Sequence, residues 1–271
     1  MTLGCPTYIG TIGSMLPTPC IEEIAASTEV RSVTGGGAGT LSPRRVRVYG
    51  NGARTWEMTR DHWETQDVAA VVSLARRQAR YGGAYRVLSC DAVAANMFTP
   101  QATEDLAGWT GLTIRTPAQE PSVALGDAWP ALLGRVGAGQ TAASPRVPIP
   151  VLGHVHGGLH VYGGPVAVRV RSRDVLAAQV AVAEVTDPGP ATLRRLLTDL
   201  FVDPAEAVSV EVEVEATGAS PVFVAWPSLA YREAPYASGR GCDAAYVALE
   251  SRSSRLHDVE GFAYQIIEVG V

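Results

Sequence analysis

Three of the five histidines lie close together in sequence. His154, His156 and His160 fall within the glycine-rich segment GHVHGGLHVYGG. Residues two apart on a β-strand point to the same side, so His154 and His156 would share a strand face with His160 nearby, as in a cupin-like metal site. The alternative is a glycine-rich surface loop, with no carboxylate in the segment to complete a site. The sequence favours the loop, and we predict no metal-binding residues here.

No catalytic arrangement stands out in the rest of the sequence. The chain has no lysine, since all 22 of its basic residues are arginine, which excludes a Walker-type phosphate loop and any Schiff-base lysine. It has no G-x-S-x-G nucleophile elbow. The glycine-rich run 35–39 is followed by Thr40 and Leu41, not by the lysine of a phosphate loop. We therefore predict that the protein is not an enzyme, has no catalytic or cofactor-binding residues, and uses no cofactor.

Aromatic side chains give the sequence a second kind of candidate chemistry. An aromatic ring offers an apolar face that suits the apolar face of a pyranose. Trp226 lies in a predicted strand, where core packing is the better interpretation. The candidates for stacking on sugars are Trp109, Trp129, Trp226, Tyr162, Tyr231 and Tyr236.

Charge and cysteine usage exclude several classes of partner. The formal net charge of −5 argues against a sequence-independent nucleic-acid binder, which needs a basic surface. The uncharged segments 1–21 and 147–168 are interrupted by prolines and glycines, so we expect neither a signal peptide nor a membrane span. Four scattered cysteines, Cys5, Cys20, Cys90 and Cys242, lack metal-site spacing and suit thiols formed in a reducing cytoplasm.

Hydrophobic periodicity predicts a β-rich first part with one helix. Arg44 to Tyr49 alternates as a half-buried strand does, and Arg54 to Arg60 can return as its hairpin partner. Residues 66–80 have apolar side chains at helical spacing, arginines near the end, and Gly82-Gly83 as a stop. Another strand follows at Ala84 to Leu88. The polar stretch Pro100 to Asp105 indicates a domain boundary, so we predict a first domain at 1–105.

The second part, 106–271, is predicted to be almost entirely strands. Valines alternate with arginines at 166–171, and valines alternate with glutamates at 208–215. One apolar and one charged face on each strand suits an antiparallel sandwich, and the opposite charges predict that these two strands are neighbours. Leu193, Leu196, Leu197 and Leu200 have helical spacing, but the surrounding strands favour a strand for 191–201. The predicted fold class is mainly β, with a C-terminal antiparallel jelly-roll β-sandwich that resembles carbohydrate-binding modules.

The order of these features resembles the distal tail or minor tail proteins of long-tailed, siphovirus-type bacteriophages of actinobacteria. In the first domain the resemblance rests on Arg54-Thr55-Trp56, the helix at 66–80, Tyr85 to Asp91, and Asn96-Met97-Phe98. The strands at 166–172, 207–215 and 222–229 resemble the jelly-roll module of these proteins. Tyr236 to Cys242 and the ending Ile267-Glu268-Val269-Gly270 resemble their C-terminal region. The Gly/Pro/His-rich stretch 134–165 departs from the pattern because it is longer than expected.

The resemblance implies a structural virion protein of the tail tip or baseplate, assembled in the host cytoplasm. Domain 1–105 would form a ring, usually a hexamer, that attaches to the tail tube, and the jelly roll would project outward and aid host adsorption. The implied partners are other copies of the chain, the tail tube protein, the tape measure protein and the tail hub or tip proteins, with a host cell-surface glycan as a further partner. No membrane and no sequence-specific nucleic acid are expected as partners.

Two other functions stay open on the sequence alone. One is a glycan-binding β-sandwich protein that acts as a monomer. The other is a metal-dependent β-sandwich or cupin-like enzyme that would use the histidine segment.

Overall fold

The computed structural model describes residues 7–18, 22–24, 32–34, 45–47, 54–126, 130–233, 239–256 and 259–269. Within these ranges the chain is mainly β, as the sequence predicts. Trp129, Tyr236, His257, Cys5 and Cys20 lie outside the described residues, as does the glycine-rich run 35–39.

Nineteen strands and three α-helices form in the described ranges. In chain order they are β1 (Thr7–Thr11), β2 (Ser14–Thr18), β3 (Glu22–Ile24), β4 (Ser32–Thr34), β5 (Arg45–Arg47), β6 (Thr55–Glu64), α1 (Thr65–Tyr81), β7 (Tyr85–Leu88), α2 (Cys90–Ala95), α3 (Pro100–Glu104), β8 (Thr113–Arg115), β9 (Leu133–Val136), β10 (Thr141–Ala143), β11 (Val147–Pro148), β12 (Gly153–Gly163), β13 (Val166–Arg173), β14 (Gln179–Asp187), β15 (Arg194–Val202), β16 (Ser209–Ala216), β17 (Val222–Ala230), β18 (Cys242–Leu256) and β19 (Val259–Glu268).

The chain divides into two compact units that are discontinuous in sequence. One consists mainly of 3–17 and 87–242, and we call it the sandwich unit. The other consists mainly of 18–86 and 243–271. The sequence-based division into domains 1–105 and 106–271 stays a prediction.

The sandwich unit is built from two antiparallel sheets. We call the first the ladder sheet; its strand order is β10-β16-β13-β14, with β11 also paired to β16. The second, which we call the histidine sheet, has the order β15-β12-β17-β9-β8. Along the chain, β12 to β17 pass between the two sheets, with β13 and β14 as neighbours in the ladder sheet, which gives the predicted antiparallel jelly-roll β-sandwich.

Alternating valines form the core between the two sheets. Each strand of the period-two pattern points one set of side chains inward. Val168 and Val170 of β13 and Val212 and Val214 of β16 are fully buried, and they pack in one cluster with Leu159 of β12. Burying a side chain of this size contributes about 1.5–3 kcal/mol relative to leaving it exposed. The charged residues between the valines are thereby held on the outer face.

The outer face of the ladder sheet carries the predicted arginine–glutamate pairs. Arg169 lies opposite Glu213 and Arg171 opposite Glu211 in the register of β13 and β16, which confirms that these strands are neighbours. Arg169 is the most connected cation, with Nη1 at 3.0 Å from Glu213 and 2.6 Å from Glu215, and Nε bonded to Glu184. Burial lowers the pKa of Arg169, but hydrogen bonds to these three glutamates outweigh it and raise the pKa above its usual range.

Replacing Arg169 with Met is expected to lower the free energy of unfolding by about 2 kcal/mol. The change leaves neighbouring carboxylates on a half-buried surface without their shared cation, and removing one partner costs more than an exposed pair contributes. Urea unfolding at pH 7 measures the difference. The control, Glu215→Gln, removes one partly exposed arm of the network and is expected to cost less than about 1 kcal/mol. Equal losses in the two variants would contradict this account.

In the second unit, α1 packs against β6 and β19. The helix spans Thr65–Tyr81, which confirms the sequence prediction, and it buries Val68 and Val71. Gln78 is buried on the same helix, where its side chain donates to the Ala245 carbonyl and accepts from the Val247 amide, both at 2.9 Å. These bonds fix the helix to β18 within this unit.

Two local predictions meet different outcomes. The strand predicted for 191–201 is confirmed, since β15 spans Arg194–Val202 and pairs along its length with β12. The polar stretch Pro100 to Asp105 contains the short helix α3, and its role as a domain boundary stays a prediction. Thr99 caps this helix by accepting the Ala102 amide, and Pro100 occupies the first turn, where a missing N–H costs nothing.

Candidate functional site

The histidine segment is a strand, not a loop, which corrects the sequence-based interpretation. Val155, Leu159 and Val161 of β12 are fully buried in the sandwich core. Residues between them point the opposite way, so His154, His156 and His160 share the outer face of the histidine sheet. The loop interpretation failed because Gly157 and Gly158 interrupt the alternation of large apolar residues along the strand.

Two neighbouring strands add polar groups to this face. In the register with β15, His154 lies opposite Phe201, His156 opposite Asp199, and His160 opposite Arg195. On the other side, β17 places Ser228 opposite Gly158. We use "histidine face" for the part of the outer face formed by His154, His156, His160, Arg195, Asp199, Trp226 and the buried Ser228.

Gly158 lies where the backbone of β12 approaches the backbone of β15 closely. A Cβ added at this position would lie 2.2 Å from the Leu196 carbonyl oxygen, so no other residue fits without moving the β15 backbone. Gly158 therefore adds no side chain to the histidine face between His156 and His160. Gly158 and Ser228, which lie opposite each other in β12 and β17, are both buried at this point of the sheet.

Trp226 lies at a bulge in β17. The register between β12 and β17 shifts between Gly158 and His160, and Trp226 has φ of +46°, a left-handed conformation that is unfavourable for a bulky residue. Its ring stands edge-on to the His160 imidazole, with centroids 5.2 Å apart. The prediction of core packing for Trp226 is wrong with respect to the main core: the bulge turns this residue onto the outer face, where it packs partly buried against a smaller apolar cluster.

The smaller cluster covers one end of the outer face. It contains the buried residues Val123, Leu133, Leu193, Phe223 and Ala225. The segment after β8 lies over this end, because the Leu193 amide donates to the Ala124 carbonyl at 2.7 Å and the Tyr162 hydroxyl donates to the Ser122 carbonyl at 3.0 Å. Among the described residues, the histidine face lies beside this cluster, with Trp226 at the border.

Asn96 holds the bulge that presents Trp226. Its side chain is fully buried and donates to the Pro227 carbonyl at 3.1 Å and to the Thr103 hydroxyl at 3.2 Å. Its side-chain oxygen accepts the amides of Phe98 and Leu229, at 3.1 and 3.2 Å. One amide side chain therefore bonds the residues directly beyond Trp226 in β17 to the segment between α2 and α3.

Some polar and charged groups on the histidine face have hydrogen-bond partners, and others do not. His154 Nδ1 lies 2.8 Å from Asp199 Oδ2 in an exposed pair. Arg195 Nη2 donates to Ser228 Oγ at 2.7 Å, but Arg195 Nε, Arg195 Nη1 and His160 Nδ1 are shielded from solvent and have no hydrogen-bond partner among the described residues. Arg195 was not predicted as a site residue, because its place in the leucine-rich strand was its only distinguishing feature in the sequence.

His160 is expected to titrate near pH 4. Burial, and after it the positive charge of Arg195, lowers its pKa to about 4. The folded state then binds fewer protons than the unfolded state between pH 4 and 6.5, so stability is complete above about 6.5 and falls as the pH drops toward 4. An NMR titration of the imidazole measures the pKa, which should rise in Arg195→Gln. A wild-type pKa near 6.5 would contradict the described environment.

The other aromatic candidates that the structure describes, Trp109, Tyr162 and Tyr231, have polar groups that are hydrogen-bonded to the backbone. Trp109 packs against the sandwich core, with its ring 6.4 Å from that of Phe98, and its indole N–H donates to the Ala102 carbonyl. The Tyr231 hydroxyl donates to the Val151 carbonyl, and burial raises the pKa of Tyr231 above its usual range. Of the four stacking candidates that the structure describes, Trp226 is thus the one on the histidine face.

The described ranges lack two other kinds of functional feature. No group of three or more histidine, cysteine, aspartate or glutamate side chains able to hold a metal ion occurs there. No described helix is both long enough and apolar enough to cross a bilayer. Cys242 is buried.

Comparison with known proteins shows similarity only at the level of solved structures. No family model matches the sequence, and no curated protein matches it. The enzymatically active domain of tailspike protein 4 from bacteriophage CBA120 is 12% identical, with a TM-score of 0.39 over 50% of this chain and 21% of that chain. The present chain therefore spans about a fifth of the tailspike chain.

Two carbohydrate-binding modules are similar over about half of this chain. TmCBM61, solved in complex with beta-1,4-galactotriose, is 14% identical, with a TM-score of 0.36 over 52% of this chain and 100% of that chain. A family 16 carbohydrate-binding module is 11% identical, with a TM-score of 0.36 over 49% of this chain and 97% of that chain. At these TM-scores the similarities carry no functional conclusion for this chain.

Proposed function

We propose that the protein binds a glycan on the histidine face. The observation that carries the proposal is the left-handed Trp226 beside His160, Arg195 and Ser228. A bulky residue in this conformation costs about 1–3 kcal/mol and persists only where the surrounding structure holds it, often at a binding site. Here the four hydrogen bonds of Asn96 supply that support.

The chemical groups on this face suit a sugar. An indole ring packs against the C–H face of a pyranose, while guanidinium, imidazole and hydroxyl groups bond to its hydroxyls. Binding sites generally combine aromatic surface with a few placed polar groups. Because the groups lie on strands of a packed sandwich, little ordering entropy is lost on binding. The proposal is one of recognition without catalysis.

Screening against an array of oligosaccharides tests the proposal. An amine-reactive dye labels only the N-terminal amine, because the chain has no lysine, so the arginines and the histidine face stay unmodified. We expect one or more glycans to bind with dissociation constants of about 1 mM or tighter, worth roughly 4 kcal/mol or more. The absence of binding to a broad array would contradict the proposal.

A second candidate function is the tail-tip role implied by the sequence resemblance: a ring of copies, such as a hexamer, joined to the tail tube and tip in the virion. The structural observation that favours it is β14, which ends the ladder sheet as an edge strand. Val180 and Val182 of this strand are 41% and 44% exposed, and the strand contains no proline or basic residue to protect the edge. Such an edge can pair with another copy of the chain.

Light scattering behind a sizing column tests the ring. A closed assembly of about six copies is expected, since cyclic symmetry closes such interfaces. Val182→Arg places a charge on the β14 edge and should shift the mass toward that of a monomer. The control, Thr141→Arg, places the same charge on β10 at the opposite edge and should leave the mass unchanged. A wild-type monomer at every concentration would count against the self-assembled ring.

A further inference from the structure

Arg195 is the least satisfied charge on the histidine face. On the ladder sheet, Arg169, Arg171 and Arg173 each form ion pairs with glutamates. Arg195 has no ion pair among the described residues, and two of its three guanidinium nitrogens have no hydrogen-bond partner there. Its one bond is to the neutral hydroxyl of Ser228.

This arrangement is energetically unfavourable without a ligand. A shielded donor that lacks an acceptor destabilises the folded state, and more strongly when it carries charge. Burial lowers the pKa of Arg195, and the carboxylate of Glu233 acts in the opposite direction. A guanidinium stays protonated at neutral pH even so, so the positive charge remains and the cost persists.

We propose that the glycan bound on the histidine face is acidic, and that Arg195 binds the carboxylate of a hexuronate residue. This inference rests on the proposed glycan-binding function. The guanidinium fork matches a carboxylate, and such charge-assisted bonds are roughly twice as strong as neutral ones. Because Nε and Nη1 are shielded, the carboxylate meets them as the guanidinium turns outward from Ser228.

The other groups on the face agree with an acidic ligand that has one charged site. Trp226 stacks on the sugar ring, and His160, which is neutral at pH 7 since its pKa is about 4, bonds to hydroxyls. The carboxylate of Asp199 contacts His154 and lies four residues along β15 from Arg195. Arg195 is thus the residue that binds the charged group of the ligand.

The test compares hexuronate oligosaccharides with their methyl esters, which keep the sugar and remove the charge. Calorimetry uses galacturonate, glucuronate and mannuronate oligomers, each in both forms. At least one acid is expected to bind ten-fold or more tightly than its ester, and added NaCl should weaken the acid but not the ester. Equal binding of acid and ester, or preference for sulfated or phosphorylated sugars over every hexuronate, would overturn the inference.

Variants separate the charge of Arg195 from its packing. Arg195→Gln should lose the preference for the acid while still binding the ester. Arg77→Gln, which removes an exposed arginine on α1 with the same change of charge, should behave as the wild type. A preference that survives in Arg195→Gln would overturn the role of this residue. Ester binding without a preference leaves the proposed function standing, whereas no binding of any glycan defeats both.

Discussion

Replacing Trp226 with Gly is expected to weaken glycan binding at least ten-fold while the sandwich stays folded. Ten-fold corresponds to about 1.4 kcal/mol, a modest value for the loss of the main aromatic surface on the histidine face. Glycine accepts the left-handed backbone, with φ of +46°, without strain. Weaker binding would therefore result from removal of the indole ring and not from rearrangement of the bulge. Calorimetric titration with the best glycan from the array measures it.

Trp226→Ala provides the matched comparison. It removes the same ring but keeps a Cβ in the left-handed conformation, so it should bind as weakly as Trp226→Gly and unfold more easily by about 1 kcal/mol. Trp109→Phe, a change away from the histidine face, should bind as the wild type does. Tight binding by Trp226→Gly would show that the ring is not part of the site.

Replacing Asn96 with Ala is expected to lower the free energy of unfolding by about 3 kcal/mol. The change leaves the Pro227 carbonyl and the amides of Phe98 and Leu229 without their buried partner, and each unsatisfied group costs about 1–3 kcal/mol before relaxation. In a chain of this size, 3 kcal/mol lowers the melting temperature by roughly 6–12 °C. Differential scanning calorimetry measures the shift.

Binding should weaken along with stability in Asn96→Ala, because the bulge that presents Trp226 loses its support. Thr103→Val is the matched control: it removes one of the four hydrogen bonds and keeps the shape of the side chain. A loss of about 1 kcal/mol and nearly normal binding are expected there. A melting temperature for Asn96→Ala within 2 °C of the wild type would contradict the role given to this residue.

Regular alternation allowed much of the sandwich to be predicted from sequence. On β13 and β16 one face is apolar and the other carries opposite charges, so both the strand assignment and the pairing of Arg169 with Glu213 followed from residue types. The helix α1 had equally regular spacing. Long segments with one consistent period leave few competing structures.

The candidate site escaped prediction because local irregularities position it. Trp226 lies two residues after Val224 and four after Val222, both of which are buried in the core. In a regular strand its side chain would point into the core as theirs do. The bulge before Leu229 turns it to the outer face instead. A bulge adds an extra residue to one strand, and the period-two pattern of the sequence does not reveal where it occurs. Likewise, Arg195 joins the site through register with His160, and register depends on tertiary pairing.

NMR mapping of the bound glycan tests the central claim most directly. The protein is labelled with ¹⁵N, and amide and indole signals are followed as the best array glycan is added. We predict that the largest shifts occur at Gly158, His160, Arg195, Trp226 and Ser228, while β13 and β16 of the ladder sheet change little. Shifts centred on the ladder sheet, or none at saturating glycan, would contradict a binding site on the histidine face.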